Sequence, residues 1–264
     1  MTGTDGASVA TPTDADHRLA AELAEEAGVL LLKLRQELVD AGADAATLKA
    51  EGDRQSHELL MARLAERAPG DAVLSEEGSD DPVRLGFERV WIVDPLDGTR
   101  EYSEPPRADW AVHVALAIGG RAAAGAVALP AQRLTLATQP PPPLPGVPPE
   151  RPRLIVSRTR PPRIAVDLAA HLDGDLVEMG SAGAKVGAVI MGAAEIYAHA
   201  GGQYEWDSCA PVAVAAACGL HVSRLDGSPL VYNNADPYLP DLLVCHPQYT
   251  DQVLAFTQAW SPAD

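Results

Sequence analysis

The stretch Trp91-Ile92-Val93-Asp94-Pro95-Leu96-Asp97-Gly98-Thr99 constrains the fold more than any other. Three large apolar residues in a row read as a buried strand. Two carboxylates follow at once. Pro95 presets φ for a turn, and Gly98 permits a tight entry into the next element. The two acids therefore stand at a strand end, where a rigid α/β scaffold presents chemistry to a crevice.

Periodicity extends the reading. Leu19, Leu23, Ala27, Leu30, Leu31 and Leu34 lie at helical spacing and predict a helix over 14–40. A second helix is expected over 54–68, before Pro69. Strands are expected at 72–74 and 90–93, then a hairpin of 111–118 and 122–129 turning at Gly119-Gly120. Residues 139–152, QPPPPLPGVPPERP, form a Pro-rich connector, because proline lacks the N–H that a helix or central strand uses. A linker is favoured over a ligand for a proline-reading module. Beyond it, strands at 153–157, 175–178, 195–198 and 242–244 interleave with helices at 163–171, 183–192, 207–218 and 248–259. The alternation predicts a layered α/β architecture. It consists of a disordered tail over 1–14, an N-terminal subdomain over 15–138, the connector, and a C-terminal subdomain over 153–264.

Composition limits the function. The formal net charge of −17 repels a nucleic-acid polymer. A small phosphorylated ligand is still admissible, because bound divalent cations reverse the local potential. The apolar runs at 108–130 and 182–194 are broken by Gly119, Gly120 and Arg121, or are short and carry Lys185, so neither spans a bilayer. The first residues lack the basic patch and apolar run of a signal peptide. Cys209, Cys218 and Cys245 have no CxxC spacing and read as reduced thiols of a cytoplasmic protein. The seven histidines form no H-x-H or HExxH pattern and read as structural. No histidine adjoins Cys209 to activate it as a nucleophile.

Acids recur at element ends: Glu76-Glu77 after one strand, Asp94 and Asp97 after another, Asp207 at a helix start. Brought together, carboxylates raise each other's pKa unless cations sit between them. Such a cluster is either a metal site or a set of solvated turn acids. D-P-L-D-G-T behind an apolar strand, with Glu-Glu at a second strand end, favours the metal. All-oxygen ligands suit Mg2+ or Mn2+, and the EF-hand spacing is absent. Backbone N–H groups at Thr99 would attract a phosphate. Acids for two or three metals beside such a start describe a metal-assisted phosphoester hydrolase.

VDPLDGT at 93–99 resembles the signature of the inositol monophosphatase superfamily of Mg2+-dependent, lithium-sensitive phosphatases. EWDSCAP at 205–211 is similar to its second signature, and SEEG at 75–78 to its glutamate pair. The resemblance covers roughly 15–260. It implies a layered α-β-α-β-α sandwich of two subdomains, usually paired as a homodimer. Carried over, Glu76, Asp94 and the Leu96 carbonyl hold the activating metal. Asp94, Asp97 and Asp207 hold a second, and Glu76 assists a loose third. Thr99 and Asp53 orient the attacking water, with Glu77 in the surrounding shell. Gly98 and Thr99 present amides to phosphate. The family leads into the residue matching Asp53 with a longer loop, whereas here the approach is only LKAEGD, so a shortened loop is expected; the alternative for Asp53 is a helix N-cap.

Arg100-Glu101-Tyr102 resembles the bisphosphate nucleotidase branch. Ala200 stands where the inositol branch carries an acid for sugar hydroxyls. VSRTR at 156–160 is similar to a nucleotidase element, with Arg160 in place of its histidine; Ser157 and Arg158 would face a nucleotide or form a plain strand-end turn. In MGSAGAK, 179–185, Ser181 would face substrate and Lys185 would meet a second phosphate. Gly183, Gly187 and Gly192 read as close helix packing. The expected substrate is a 3',5'-bisphosphate nucleotide, with inositol phosphate or fructose 1,6-bisphosphate as the alternative and a catalytically silent acidic binding module as the rival.

Overall fold

The computed structural model describes residues 10–261. Of the tail expected over 1–14, residues 1–9 lie outside the described residues. The Ala10 N–H donates to Glu88 at 3.1 Å, and Thr13 caps the first helix.

That helix, α1 (Asp14–Asp40), opens on a reciprocal capping box between Thr13 and Asp16. Its buried stripe of Leu19, Leu23, Ala27 and Leu31 recurs at helical spacing. Helix α2 covers Ala45–Arg67, nine residues earlier than position 54, because Asp44 accepts from the Thr47 N–H and caps it. The first sheet contains β1 (Ala72–Ser75), β2 (Arg89–Asp97), β3 (Ala111–Ile118), β4 (Arg121–Leu129) and β5 (Leu134–Ala137), in that order. β1 and β2 are parallel, the rest antiparallel. Between β2 and β3 lies a single-turn helix, α3 (Thr99–Tyr102).

The second sheet is built from β6 (Arg153–Ser157), β7 (Asp175–Met179), β8 (Ile196–Tyr204), β9 (His221–Ser223) and β10 (Tyr238–Cys245), ordered β7-β6-β8-β10-β9. Its helices are α4 (Arg163–His171), α5 (Ala182–Ile190), α6 (Glu205–Cys218) and α7 (Thr250–Ala259). Residues 139–152 carry no helix or strand, but they are tied to the second half. The Cys218 thiol donates to the Pro143 carbonyl, and the Tyr249 hydroxyl donates to that of Pro149.

Alternation along the central strands sorts the layers. Val112, Val114 and Leu116 of β3 face α1 and α2 in one apolar cluster. Ala111, Ala115 and Ala117 face the opposite way, into a cluster with α5, α6 and the second sheet. A third cluster joins that sheet to α4 and α7. The order is α-β-α-β-α, as the resemblance implies. Among the described residues no helix is long and apolar enough to cross a membrane. All three cysteines are buried free thiols.

Gly52 lets α2 approach the strand end closely. A Cβ there would lie 2.8 Å from both Leu96 Cδ2 and Tyr102 Cε1, and those side chains are themselves fully buried. Gly52→Ala gains about 1 kcal/mol of helix propensity. We expect the overpacking to win, with a net loss of roughly 1–2 kcal/mol in urea unfolding. An unchanged or raised midpoint would show that Leu96 and Tyr102 yield freely.

Candidate active site

The ends of β1 and β2, the starts of α5 and α6, and the middle of α2 meet at one place. Asp94, Asp97 and Asp207 each offer an oxygen there, all within 4.8 Å of one another. The turn that presents the first two is fixed atom by atom. The Leu96 N–H donates to Asp94 Oδ1 at 3.0 Å. The Ser56 hydroxyl of α2 holds the Pro95 carbonyl at 2.7 Å, and the Thr99 hydroxyl reaches the Leu96 carbonyl at 3.2 Å. Gly98 sits at φ +84 with no room for a side chain, since a Cβ would meet Ser181 Cβ at 2.9 Å.

Asp97 is the most fully satisfied acid. Its Oδ2 accepts from the Ser181 hydroxyl at 2.5 Å and the Gly183 N–H at 2.6 Å, and its Oδ1 from the Ala182 N–H at 3.1 Å. Burial pushes its pKa up, but His113, Ser181 and Lys185 together hold it well below the usual carboxylate range. The other acids lack such support. Burial, then the charges of Glu76, Asp97 and Asp207, raises Asp94 well above the ordinary value. Burial, then Asp97, lifts Asp207 to about 7, although the Tyr204 N–H donates to it at 2.6 Å. Glu76 also reaches about 7, chiefly because its carboxyl group lies among the other acids out of bulk water, although the residue as a whole is exposed. Crowded hard-oxygen donors that cannot all ionise alone suit a divalent cation.

Asp53 also rises to about 7, first through burial and then through Glu77, against the opposing effects of the nearby Thr99 hydroxyl and the charge of Lys49. Glu77 itself is exposed. LKAEGD is neither a shortened loop nor a cap, because it is helical. α2 starts eight residues before Asp53 and presents that side chain from its interior. With no loop there, Asp53 reaches Thr99 from a rigid element.

Beside the acids lies a cleft of about 240 Å³ lined by Gly98, Thr99, Arg100, Ser157, Arg158, Ser181 and Lys185, with Glu101, Thr159, Arg160 and Gly180. Every residue expected to bind substrate is there except Asp207, which stands with the acids. Arg158 already donates to Glu101 and Glu104, at 2.8 and 3.0 Å. Lys185 is buried and donates to the Ser181 carbonyl at 2.7 Å. A larger groove, lined by Gly28, Val29 and Pro130, lies on the far side of the first sheet, away from the acids.

Sequence reasoning passed over four residues that build this place: Ser56, Glu205, Arg84 and His113. Glu205, fully buried, accepts from the N–H groups of Asn233 and Asn234. Arg84 joins Asn233 to Asp80.

The raised acids give the metal-free protein a pH signature. The folded chain keeps protons on Asp53, Glu76 and Asp207 up to about pH 7, whereas the unfolded chain releases them near pH 4. The folded state therefore binds more protons between those limits, and stability falls as pH rises through them. The melting temperature of EDTA-treated protein should drop from about pH 5 to about pH 8, and the increment on adding Mg2+ should grow over that interval. A flat profile would mean that these acids ionise without a cation.

The chain matches the inositol monophosphatase family over residues 13–140 and 153–258. It is 51% identical over 249 residues to a 3'-phosphoadenosine 5'-phosphate phosphatase of Mycobacterium bovis, covering 89% of this chain and 91% of that one. It is 32% identical over 202 residues to the Escherichia coli 3'(2'),5'-bisphosphate nucleotidase CysQ, covering 71% of this chain and 80% of the relative. Among solved structures, CysQ of Bacteroides thetaiotaomicron, a bacterial member of the inositol monophosphatase family, superposes with a TM-score of 0.74 at 26% identity, over 88% of this chain and 97% of that one. Inositol monophosphatase II of Staphylococcus aureus shares the fold, with a TM-score of 0.76 at 21% identity over 92% and 95% of the two chains. By sequence over most of its length, and by the layered fold that carries its acids, the chain belongs to the inositol monophosphatase family.

Proposed function

We propose that this chain is a metal-dependent phosphomonoesterase that hydrolyses 3'-phosphoadenosine 5'-phosphate to AMP and phosphate. The observation that carries the reading is the 51% identity to phosphatases of that name over 89% of the chain. The site supports it: a cleft lined by Arg100, Arg158, Arg160 and Lys185 opens beside the acids, and a bisphosphate has a second charge to place on such a wall.

Glu76, Asp94, the Leu96 carbonyl, Asp97 and Asp207 would hold divalent cations, with Mg2+ the natural choice for oxygen ligands and Mn2+ a substitute. Bound there, the cations neutralise charge on the attacking and leaving oxygens. Asp53 and Thr99 orient the attacking water. Glu77 keeps Asp53 a better proton acceptor by raising its pKa. The amides of Gly98 and Thr99 face the phosphate, while Ser157, Arg158, Ser181 and Lys185 shape the rest of the cleft. Water attacks phosphorus in line, the P–O bond to the sugar breaks, and a proton passes to the departing oxygen.

A sugar-phosphate reading is disfavoured by the strands beside Ala200. Ala200 has no carboxylate, and Asp241, opposite it across the β8–β10 ladder, gives both oxygens to Arg224. A homodimer and a cytoplasmic setting belong to the same reading, the latter in keeping with three free thiols.

Phosphate release checks this. The 3',5'-bisphosphate should exceed inositol 1-phosphate by at least about 10-fold in kcat/KM, a difference needing only about 1.4 kcal/mol. Excess EDTA should abolish turnover. An inverted ratio would move the chain to the inositol branch, and full activity in EDTA would remove the metals.

A further inference from the structure

We propose that His113 is a positioning residue for the metal site, orienting Asp97 by direct contact and Asp207 through the backbone before it. The inference rests on reading Asp97 and Asp207 as cation ligands.

His113 stands in β3 directly opposite Asp94 in the ladder, and its side chain is wholly buried. It faces the inner layer, where its neighbours Ala111 and Ala115 contact α5 and α6. Its Nδ1 lies 3.0 Å from the Trp206 carbonyl. Its Nε2 lies 3.2 Å from Asp97 Oδ2; the alignment falls short of a full hydrogen bond, and no other partner is present. Both facing groups are acceptors only, a carbonyl and a carboxylate. The Trp206 carbonyl can only accept, so Nδ1 donates to it and sets the plane of the ring, which holds Nε2 against Asp97 Oδ2.

The packing fixes that ring in place. A Cβ on Gly183 would fall 2.0 Å from Nε2, so α5 approaches closely only because residue 183 is glycine. The ring touches the end of β2 through Asp97 and the start of α6 through the peptide before Asp207. A residue serving only to fill space on this apolar face would be aliphatic, as Ala111, Ala115 and Ala117 are. A buried imidazole costs desolvation unless its donors are used. Groups behind a metal ligand commonly set its direction, and losing one typically costs about 10–100-fold in metal affinity or activity.

The test compares His113→Gln, which keeps an amide donor, with His113→Met, which has similar reach and none. Mg2+ binding to each purified full-length protein is measured by calorimetry, beside melting temperature and kcat/KM. His113→Met should bind Mg2+ about 10–100-fold more weakly than wild type, and His113→Gln should recover part of the loss. Equal Mg2+ affinity in wild type and His113→Met, whatever their melting temperatures, would overturn the role. If either variant fails to fold, 15N spectra of wild type with labelled histidine decide the matter with Mg2+ present. A proton on Nδ1, where the Trp206 carbonyl accepts it, supports the role, and a bare Nδ1 overturns it. Wild-type protein that binds no Mg2+ would sink the metal reading itself, a separate failure.

Discussion

Asp97 joins the two sheets where the acids meet. It ends a strand of the first sheet, yet its carboxylate accepts from Ser181, Ala182 and Gly183 at the start of α5. It thus acts as an N-cap supplied from outside the helix, completing what Ser181 begins by accepting from the Ala184 N–H. The consequence is an uneven site. One acid is satisfied and ionised, whereas Asp94, Asp207 and Glu76 are left to repel each other in a partly buried space. A cation relieves exactly the acids that α5 does not serve. Asp97 has four contacts crowded mostly on Oδ2 and one on Oδ1, which leaves lone-pair capacity for a cation as well. Replacing it with asparagine would therefore disturb the α5 junction as well as any cation held there, and loss of activity alone would not separate the two.

Arg84 and Glu205 brace the same junction from the other side. Glu205 opens α6, two residues before Asp207, and gathers Asn233 and Asn234 onto its carboxylate. Arg84, almost fully buried, bridges Asn233 to Asp80 just beyond the Glu76-Glu77 pair. The end of β1 and the start of α6 are thereby tied through one chain of charge-assisted bonds. Asn233 takes a positive φ of 62 to enter it, a conformation asparagine tolerates better than most residues.

Much of this was legible in the amino-acid order. α1 was readable because its leucines keep one face over many turns, and the β3–β4 hairpin because Gly119-Gly120 separates two apolar runs. The acids of β2 and α6 announced themselves by clustering at element ends. The start of α2 was lost for a local reason: Gly52 and Asp53 look like a turn, while the true signal, Asp44 three residues before Thr47, was an ordinary cap. β8 was cut short because Gly201 and Gly202 interrupt its apolar run, although the strand continues to Tyr204. His113 stayed invisible for a different reason. A lone histidine in an apolar strand carries no motif, and its meaning arises only when Asp97 and the Trp206 carbonyl close on it from distant parts of the chain.

The cleft beside the acids is shaped by the same physics. Two of its basic groups are not loose charges. Arg158 is held by Glu101 and Glu104, and Lys185 by the Ser181 carbonyl, inside a region that also contains Asp97, Asp109 and Asp207. Burial lowers the Lys185 pKa, and those nearby acids oppose the loss of its charge. A chain of net charge −17 thus keeps a cationic wall beside an anionic cluster, with Arg158 and Lys185 balanced against fixed acceptors. If the proposed bisphosphate binds here, one phosphate would exchange for those internal acceptors while the other meets the acids. On that reading, selectivity would follow from which internal partners the ligand can replace.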